Sequence, residues 1–260
     1  MIFLLLFQLN ASAQVRKPAF HQKKAIIVLT YDDALESQLD IAIPQLNAAN
    51  LKGTFFLDGK VNAQNLNRWR AAVTAKHELA NHTLYHPCLD KDGKGKPENN
   101  SAIYTPATIM REIGMMNTLL TALDHKKTHT YAYPCTETTV GGQSYLDTLK
   151  RSGLVKYARV GGDKNAIVTN YNELDILQVP SWPAFGEITG TDLISFVKNV
   201  QKSGGLGVFM FHGVGGDYLS TPAQAHRELL DYLKAQHKQV WVATFEQAMN
   251  YITSNLANSL

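Results

Sequence analysis

The sequence predicts an α/β fold, a single domain built on about seven parallel strands with helices packed against them, and two observations carry that expectation. Short runs rich in β-branched and aromatic residues alternate along the chain with longer amphipathic stretches. Two of the runs, Ile26-Ile27-Val28-Leu29 and Val208-Phe209-Met210-Phe211, are continuously apolar, the pattern of strands buried on both faces of a parallel sheet. A barrel and a doubly wound sheet both satisfy these patterns, and the number of repeats favours the barrel. The 260 residues are 45% hydrophobic and 18% charged, so one substantial core can form and the composition is not that of a disordered chain.

Taken in order, the strands are expected at Ala25 to Tyr31, Thr54 to Leu57, His77 to Asn81, Thr130 to Tyr133, Tyr157 to Val160, Ile176 to Val179, Gly207 to Phe211 and Gln239 to Ala243. Helical periodicity falls between them, at Glu36 to Ala49, Gln64 to Ala75, Pro106 to Leu123, Ser144 to Ser152, Thr189 to Lys202, Pro222 to Gln236 and Phe245 to Thr253. The polar, turn-rich stretch Asp90 to Pro97 reads as a surface loop.

Ahead of the first strand, the apolar run Ile2 to Leu9 and the small residues of Asn10-Ala11-Ser12-Ala13-Gln14 have the form of a secretory leader, residues 1–13, cleaved after Ala13. A buried N-terminal strand is the other reading of that run. This run of eight residues, seven of them apolar, is too short to span a bilayer. Cleavage would leave residues 14–260 as one domain in a secreted or periplasmic, oxidising setting, where Cys88 and Cys135 could be joined. A formal charge of +3, with Lys23-Lys24 and Lys91 to Lys96 short or interrupted by Asp and Gly, excludes a nucleic-acid footprint. Nothing in the sequence calls for an obligate protein partner.

The residues able to do chemistry cluster at the carboxyl ends of the expected strands, where parallel α/β folds place their sites. Asp32-Asp33 end the first strand. Two adjacent carboxylates there call for a compensating cation, although an Asp before a helix can also serve as its N-cap. His82 and His86, four residues apart after the third strand, can aim both imidazoles at one point if the turn between them is helical. With a carboxylate from another strand end they make the ligand set of a divalent metal with open positions. His212 follows the buried run Gly207 to Phe211 and titrates near neutrality, as a general acid should. Tyr131-Ala132-Tyr133-Pro134-Cys135 is a strand stopped by a proline, with backbone N–H groups beyond it that can serve as oxyanion donors.

In order and spacing, Thr30-Tyr31-Asp32-Asp33-Ala34, His82-Thr83-Leu84-Tyr85-His86-Pro87 and Phe211-His212 resemble motifs of the polysaccharide deacetylases, the NodB-homology or carbohydrate esterase family 4 enzymes. The resemblance implies a distorted (β/α) barrel and the hydrolysis of N- or O-linked acetyl groups on a polysaccharide or oligosaccharide. It implies that Asp33, His82 and His86 hold one divalent metal, zinc or else cobalt. Asp32 would be the general base, His212 the acid that protonates the leaving amine or alcohol, and the N–H of Cys135 an oxyanion donor. Ala132 stands where the family often has an arginine, two residues before the proline, so Arg159 is the candidate to orient Asp32. Cys135 replaces a common tyrosine, Tyr133 is expected with it on the substrate and oxyanion side, and Trp182 with Met210 is expected to wall the acetyl pocket. In the resembling fold the loops of Cys88 and Cys135 are neighbours, which predicts a disulfide between them. A carbohydrate-binding protein that has lost turnover on the same barrel is the second reading, motivated by Ala132 and by a blurred fourth motif at Val179 to Pro183. A metal phosphodiesterase is a weaker third, since no glycine loop that cradles phosphate accompanies the ligands.

Overall fold

The computed structural model describes residues 23–93 and 95–257, so the expected leader at residues 1–13 lies outside the described residues. Seven parallel strands of four to eight residues form the sheet: β1 (Ala25–Asp32), β2 (Thr54–Leu57), β3 (Glu78–Asn81), β4 (His129–Ala132), β7 (Val155–Arg159), β10 (Gly205–Phe211) and β11 (Val240–Ala243). Two-residue pieces complete the set: the hairpin β5 (Thr139–Val140) with β6 (Gln143–Ser144), then β8 (Ile167–Val168) and β9 (Trp182–Pro183). The helices are α1 (Ile43–Ala49), α2 (Leu66–Thr74), α3 (Pro106–Asp124), α4 (Leu146–Ser152), α5 (Gly190–Ser203), α6 (Ala223–Ala235) and α7 (Phe245–Ala257).

β1 is the centre because every residue of AIIVLTYD is buried. β10 follows one edge of it from Ala25↔Gly205 to Tyr31↔Phe211, while β11 pairs with its first half and β2 with its end. The sheet then continues through β3 and β4 to β7 and curls. Residues 176–183 span the remaining gap. Val179 bridges Arg159 of β7, and Trp182–Pro183 pair with Phe209–Met210 of β10. The expected strand Ile176 to Val179 exchanges backbone hydrogen bonds with Ala158 and Val160, but Pro180 has no N–H with which to extend the ladder.

Alternation along β1 divides the core in two. Ile27, Leu29 and Tyr31 join the outer layer under α1, α5 and α6. Ile26 and Val28 face the barrel interior, where Phe245, Ala248, Met249 and Ile252 of α7 close the lower end. The carboxylate of Glu78, inside the barrel, accepts the Glu246 N–H and the hydroxyls of Thr54 and Thr130, so it satisfies the start of α7 and pins three elements together. One expected helix departs from regularity: the stretch before α1 opens into a wider turn over Gln38–Ala42. Pro44 has no N–H to return to the Asp40 carbonyl, and the chain bonds Ile43 N–H to Gln38 instead. No helix among the described residues is long and apolar enough to cross a membrane.

Candidate active site

Parallel strands deliver their carboxyl ends to one rim, and a cavity of about 470 Å³ opens there, lined by residues from four strand ends and by Phe185, Tyr218 and Leu219. The backbone at this rim is unusual. Asp33, Ala34, Thr83, His86, Cys135, Thr136, Asp217 and Leu219 all hold positive φ between 45° and 80° without being glycine, a conformation that persists only where the surroundings determine it.

Asp32 faces the interior by the same alternation that buries Ile26 and Val28, and Asp33 then turns out of the strand with φ 80°. Gln38 donates from Nε2 to the carbonyls of Asp32 and His212, tying the end of β1 to the end of β10. His82 follows β3, and its Nδ1 donates to the Ala132 carbonyl at 2.8 Å, which leaves Nε2 as the free lone pair. The turn between the histidines is not helical. Thr83 (φ 64°) takes a tight turn in which its N–H bonds to Asn81 Oδ1, and its hydroxyl accepts the His86 N–H. The short polar side chains of Asn81 and Thr83 compete for the backbone and build this turn in place of a helical one. α3 anchors it, through Asn81 Nδ2 to Ile113 O and Glu112 Oε2 to the Tyr85 N–H.

The turn brings the two imidazoles together. His82 Nε2 and His86 Nε2 are 3.1 Å apart, and they lie 3.4 Å and 3.3 Å from Asp33 Oδ1. Three ligands on one tetrahedral ion, at bonds of roughly 2.0–2.2 Å, stand about 3.3–3.6 Å from each other. Asp33 Oδ1 is buried with no hydrogen-bond partner in the protein, which is the condition expected of an atom reserved for a cation. The residues therefore fit a divalent metal. Burial opposes ionisation of Asp33, yet the neighbouring imidazoles outweigh it and hold the carboxyl below the usual carboxylate range. Burial and the adjacent His82 push His86 down to about 4, so it stays neutral and able to ligate near pH 7. His82 is penalised by burial as well, but the Asp33 and Asp32 carboxylates overcome this and raise its pKa.

Beside the triad, Arg159 Nη2 meets Asp32 Oδ2 at 2.5 Å, both side chains being buried. Its Nη1 donates to Ser181 Oγ at 2.9 Å, and its guanidinium lies over the Phe56 ring. Asp32 Oδ1 has no partner in the protein. Across the cavity His212 Nε2 is 3.9 Å from Asp33 Oδ2, and burial lowers its pKa despite the pull of both aspartates. Met210 and Tyr133 line the cavity, but the Tyr133 hydroxyl is committed to the Leu177 carbonyl at 2.8 Å. Cys135 is at the rim and is bonded to Cys88. Trp182 is not in the cavity. Its ring packs on Phe196 and Phe209 in the outer layer, because in β9 it sits level with Phe209, whose side chain already points away from the interior.

Four lining residues were absent from the sequence reading: Thr136, Phe185, Tyr218 and Leu219. Tyr218 is the most telling, since its hydroxyl donates to Asp33 Oδ2 at 2.8 Å. The glycine-rich Gly213 to Gly216 marks a tight loop after β10, the one available sign that side chains beyond it return to the rim.

The profile of the polysaccharide deacetylases matches residues 21–153, just over half of the chain. The chain belongs to the polysaccharide deacetylase family. No protein of curated function matches the sequence. Solved structures share the fold at low identity. A Mycobacterium smegmatis protein assigned to the polysaccharide deacetylases superposes with a TM-score of 0.64 at 17% identity, covering 90% of this chain and 92% of its own. A peptidoglycan deacetylase from Bacillus subtilis gives 0.59 at 15%, covering 92% and 96%. A family 4 acetyl xylan esterase from Clostridium thermocellum, in complex with cobalt, gives 0.55 at 17%, covering 86% and 90%. The distorted (β/α) barrel of this family is the fold the sequence implied.

Proposed function

We propose that this deacetylase-family protein is a metal-dependent hydrolase that removes acetyl groups, as amide or ester, from an exported or extracellular polysaccharide or oligosaccharide. The observation that carries the reading is the convergence of Asp33 Oδ1, His82 Nε2 and His86 Nε2 within 3.1–3.4 Å of one another, between Asp32 and His212. A divalent ion held by these three atoms, zinc or else cobalt, supplies Lewis acidity toward the acetyl carbonyl and acidifies a water molecule. Asp32 is the group placed to accept the proton of the attacking water. Arg159 occupies its Oδ2 and leaves Oδ1 for that proton. His212 faces the same space and delivers a proton to the departing nitrogen or oxygen. The Cys135 N–H is the oxyanion donor, and Met210, Phe185 and Leu219 give the acetyl methyl an apolar wall.

The test is acetate release from acetylated chitooligosaccharides and from acetylated xylan. A chelator is expected to abolish release, and added zinc or cobalt to restore it; an undiminished rate in the chelator would overturn the metal dependence. Tyr218→Phe keeps the ring and deletes the hydroxyl that steadies Asp33. Metal affinity is expected to fall about tenfold, the usual cost of losing a group that orients a ligand, as measured by calorimetric titration with zinc. Export follows from the leader read at residues 1–13, and N-terminal sequencing of secreted protein should begin at Gln14.

A further inference from the structure

Two turns meet at the rim, one after β3 carrying His86 and one after β4 carrying Cys135, and the bond between Cys88 and Cys135 joins them across 47 residues of sequence. The two histidines are held very differently. His82 is 2% exposed, and its Nδ1 is fixed by the Ala132 carbonyl inside the barrel. The His86 side chain is 26% exposed, its backbone is left-handed, and its Nδ1 faces the Cys88 sulfur at 3.4 Å. On the other side of the bridge, Cys135 and Thr136 are also left-handed, with φ 49° and 60°. At the outer edge the same two turns are tied by Glu137, whose carboxylate accepts the Leu89 N–H and the Ser101 hydroxyl. That tie leaves the turns together without the bridge, but neither the imidazole nor the Cys135 backbone is among its partners.

We propose that the Cys88–Cys135 disulfide is a positioning element of the active site, setting the His86 imidazole and the Cys135 backbone against Asp33 and His82. The proposal rests on the metal-hydrolase reading above. Loss of the bridge leaves His86 with no partner on its second nitrogen and lets the left-handed residues relax. The fold persists on the Glu137 tie and on the anchoring of the β3 turn to α3.

The experiment compares cobalt titrations, followed by visible absorption, of the wild-type protein, Cys88→Ala/Cys135→Ala and His82→Ala, with circular dichroism reporting the fold. The double variant is expected to keep the native spectrum and to bind cobalt at least about tenfold more weakly, with kcat for acetate release falling more than KM rises. Cobalt affinity and kcat equal to wild type would overturn the positioning role and leave the bridge a structural staple. If His82→Ala binds cobalt as the wild type does, the metal site itself is refuted and the proposal falls with it, a result separate from the first. Should the double variant fail to fold, a trialkylphosphine applied to folded wild type replaces it. The phosphine takes one oxygen from water and its two electrons cleave the S–S bond, giving two thiols that hold the two protons. Unchanged cobalt binding after that reduction would equally overturn the proposal, and thiolate-to-cobalt charge-transfer bands separate any binding by the freed sulfurs.

Discussion

Asp32→Asn is expected to slow acetate release by about 10²–10⁴-fold, the range for removing a general base, while zinc affinity stays within a few-fold of wild type. The asymmetry follows from the geometry. Asp32 Oδ2 is 3.9 Å from His82 Nε2 and is taken by Arg159, so the side chain lies outside the three-atom ligand set. An amide oxygen can still accept the guanidinium hydrogen bond, but the amide cannot take up a proton from water. Calorimetric zinc titration and initial rates on one acetylated oligosaccharide, measured on both proteins, separate the two quantities. Equal rates would remove Asp32 from the chemistry and favour a carbohydrate-binding role for the barrel. A parallel loss of zinc would instead make Asp32 a ligand.

The strands were legible because burial on both faces leaves continuous apolar runs, and β1 and β10 are the plainest cases. The convergence of Asp33, His82 and His86 was legible for a different reason: they are polar residues at strand ends, where a fold-level rule says polar residues meet. What was lost was lost to local backbone chemistry and to side-chain direction. Asn81 and Thr83 bring the histidines together through a turn built on their own side chains and not through a helical one. Pro180 ends a strand whose apolar pattern was otherwise adequate. Trp182 falls on the outer side because one-residue parity in β9 decides its face, and parity cannot be read from a two-residue strand. Tyr218 returns to the rim along an irregular loop with left-handed residues at Asp217 and Leu219, for which neither period offers a signal.

Arg159→Ala is expected to lower stability at neutral pH by about 3–5 kcal/mol in urea unfolding, because it leaves the Asp32 carboxylate buried without its cation. The fall in activity should be comparable to that of Asp32→Asn, since a base with no fixed partner loses its orientation toward the attacking water. The register of β4 and β7 offers a sharper test. Ala132 lies directly opposite Arg159 on the parallel pair, so both side chains leave the same face of the sheet. In the family pattern an arginine often stands where Ala132 does; here the guanidinium comes from the neighbouring strand, and a small residue at 132 leaves it room. Moving the arginine back, as Ala132→Arg combined with Arg159→Ala, conserves both volume and charge in the interior. This pair is expected to recover much of the stability and rate that Arg159→Ala alone loses, whereas Ala132→Arg by itself should overpack the barrel at a cost of roughly 1–3 kcal/mol. If the swapped protein is no more stable or active than Arg159→Ala, then charge at that point in the barrel is not sufficient. The link from Arg159 through Ser181 to the Val160 carbonyl would then be what holds Asp32 in place.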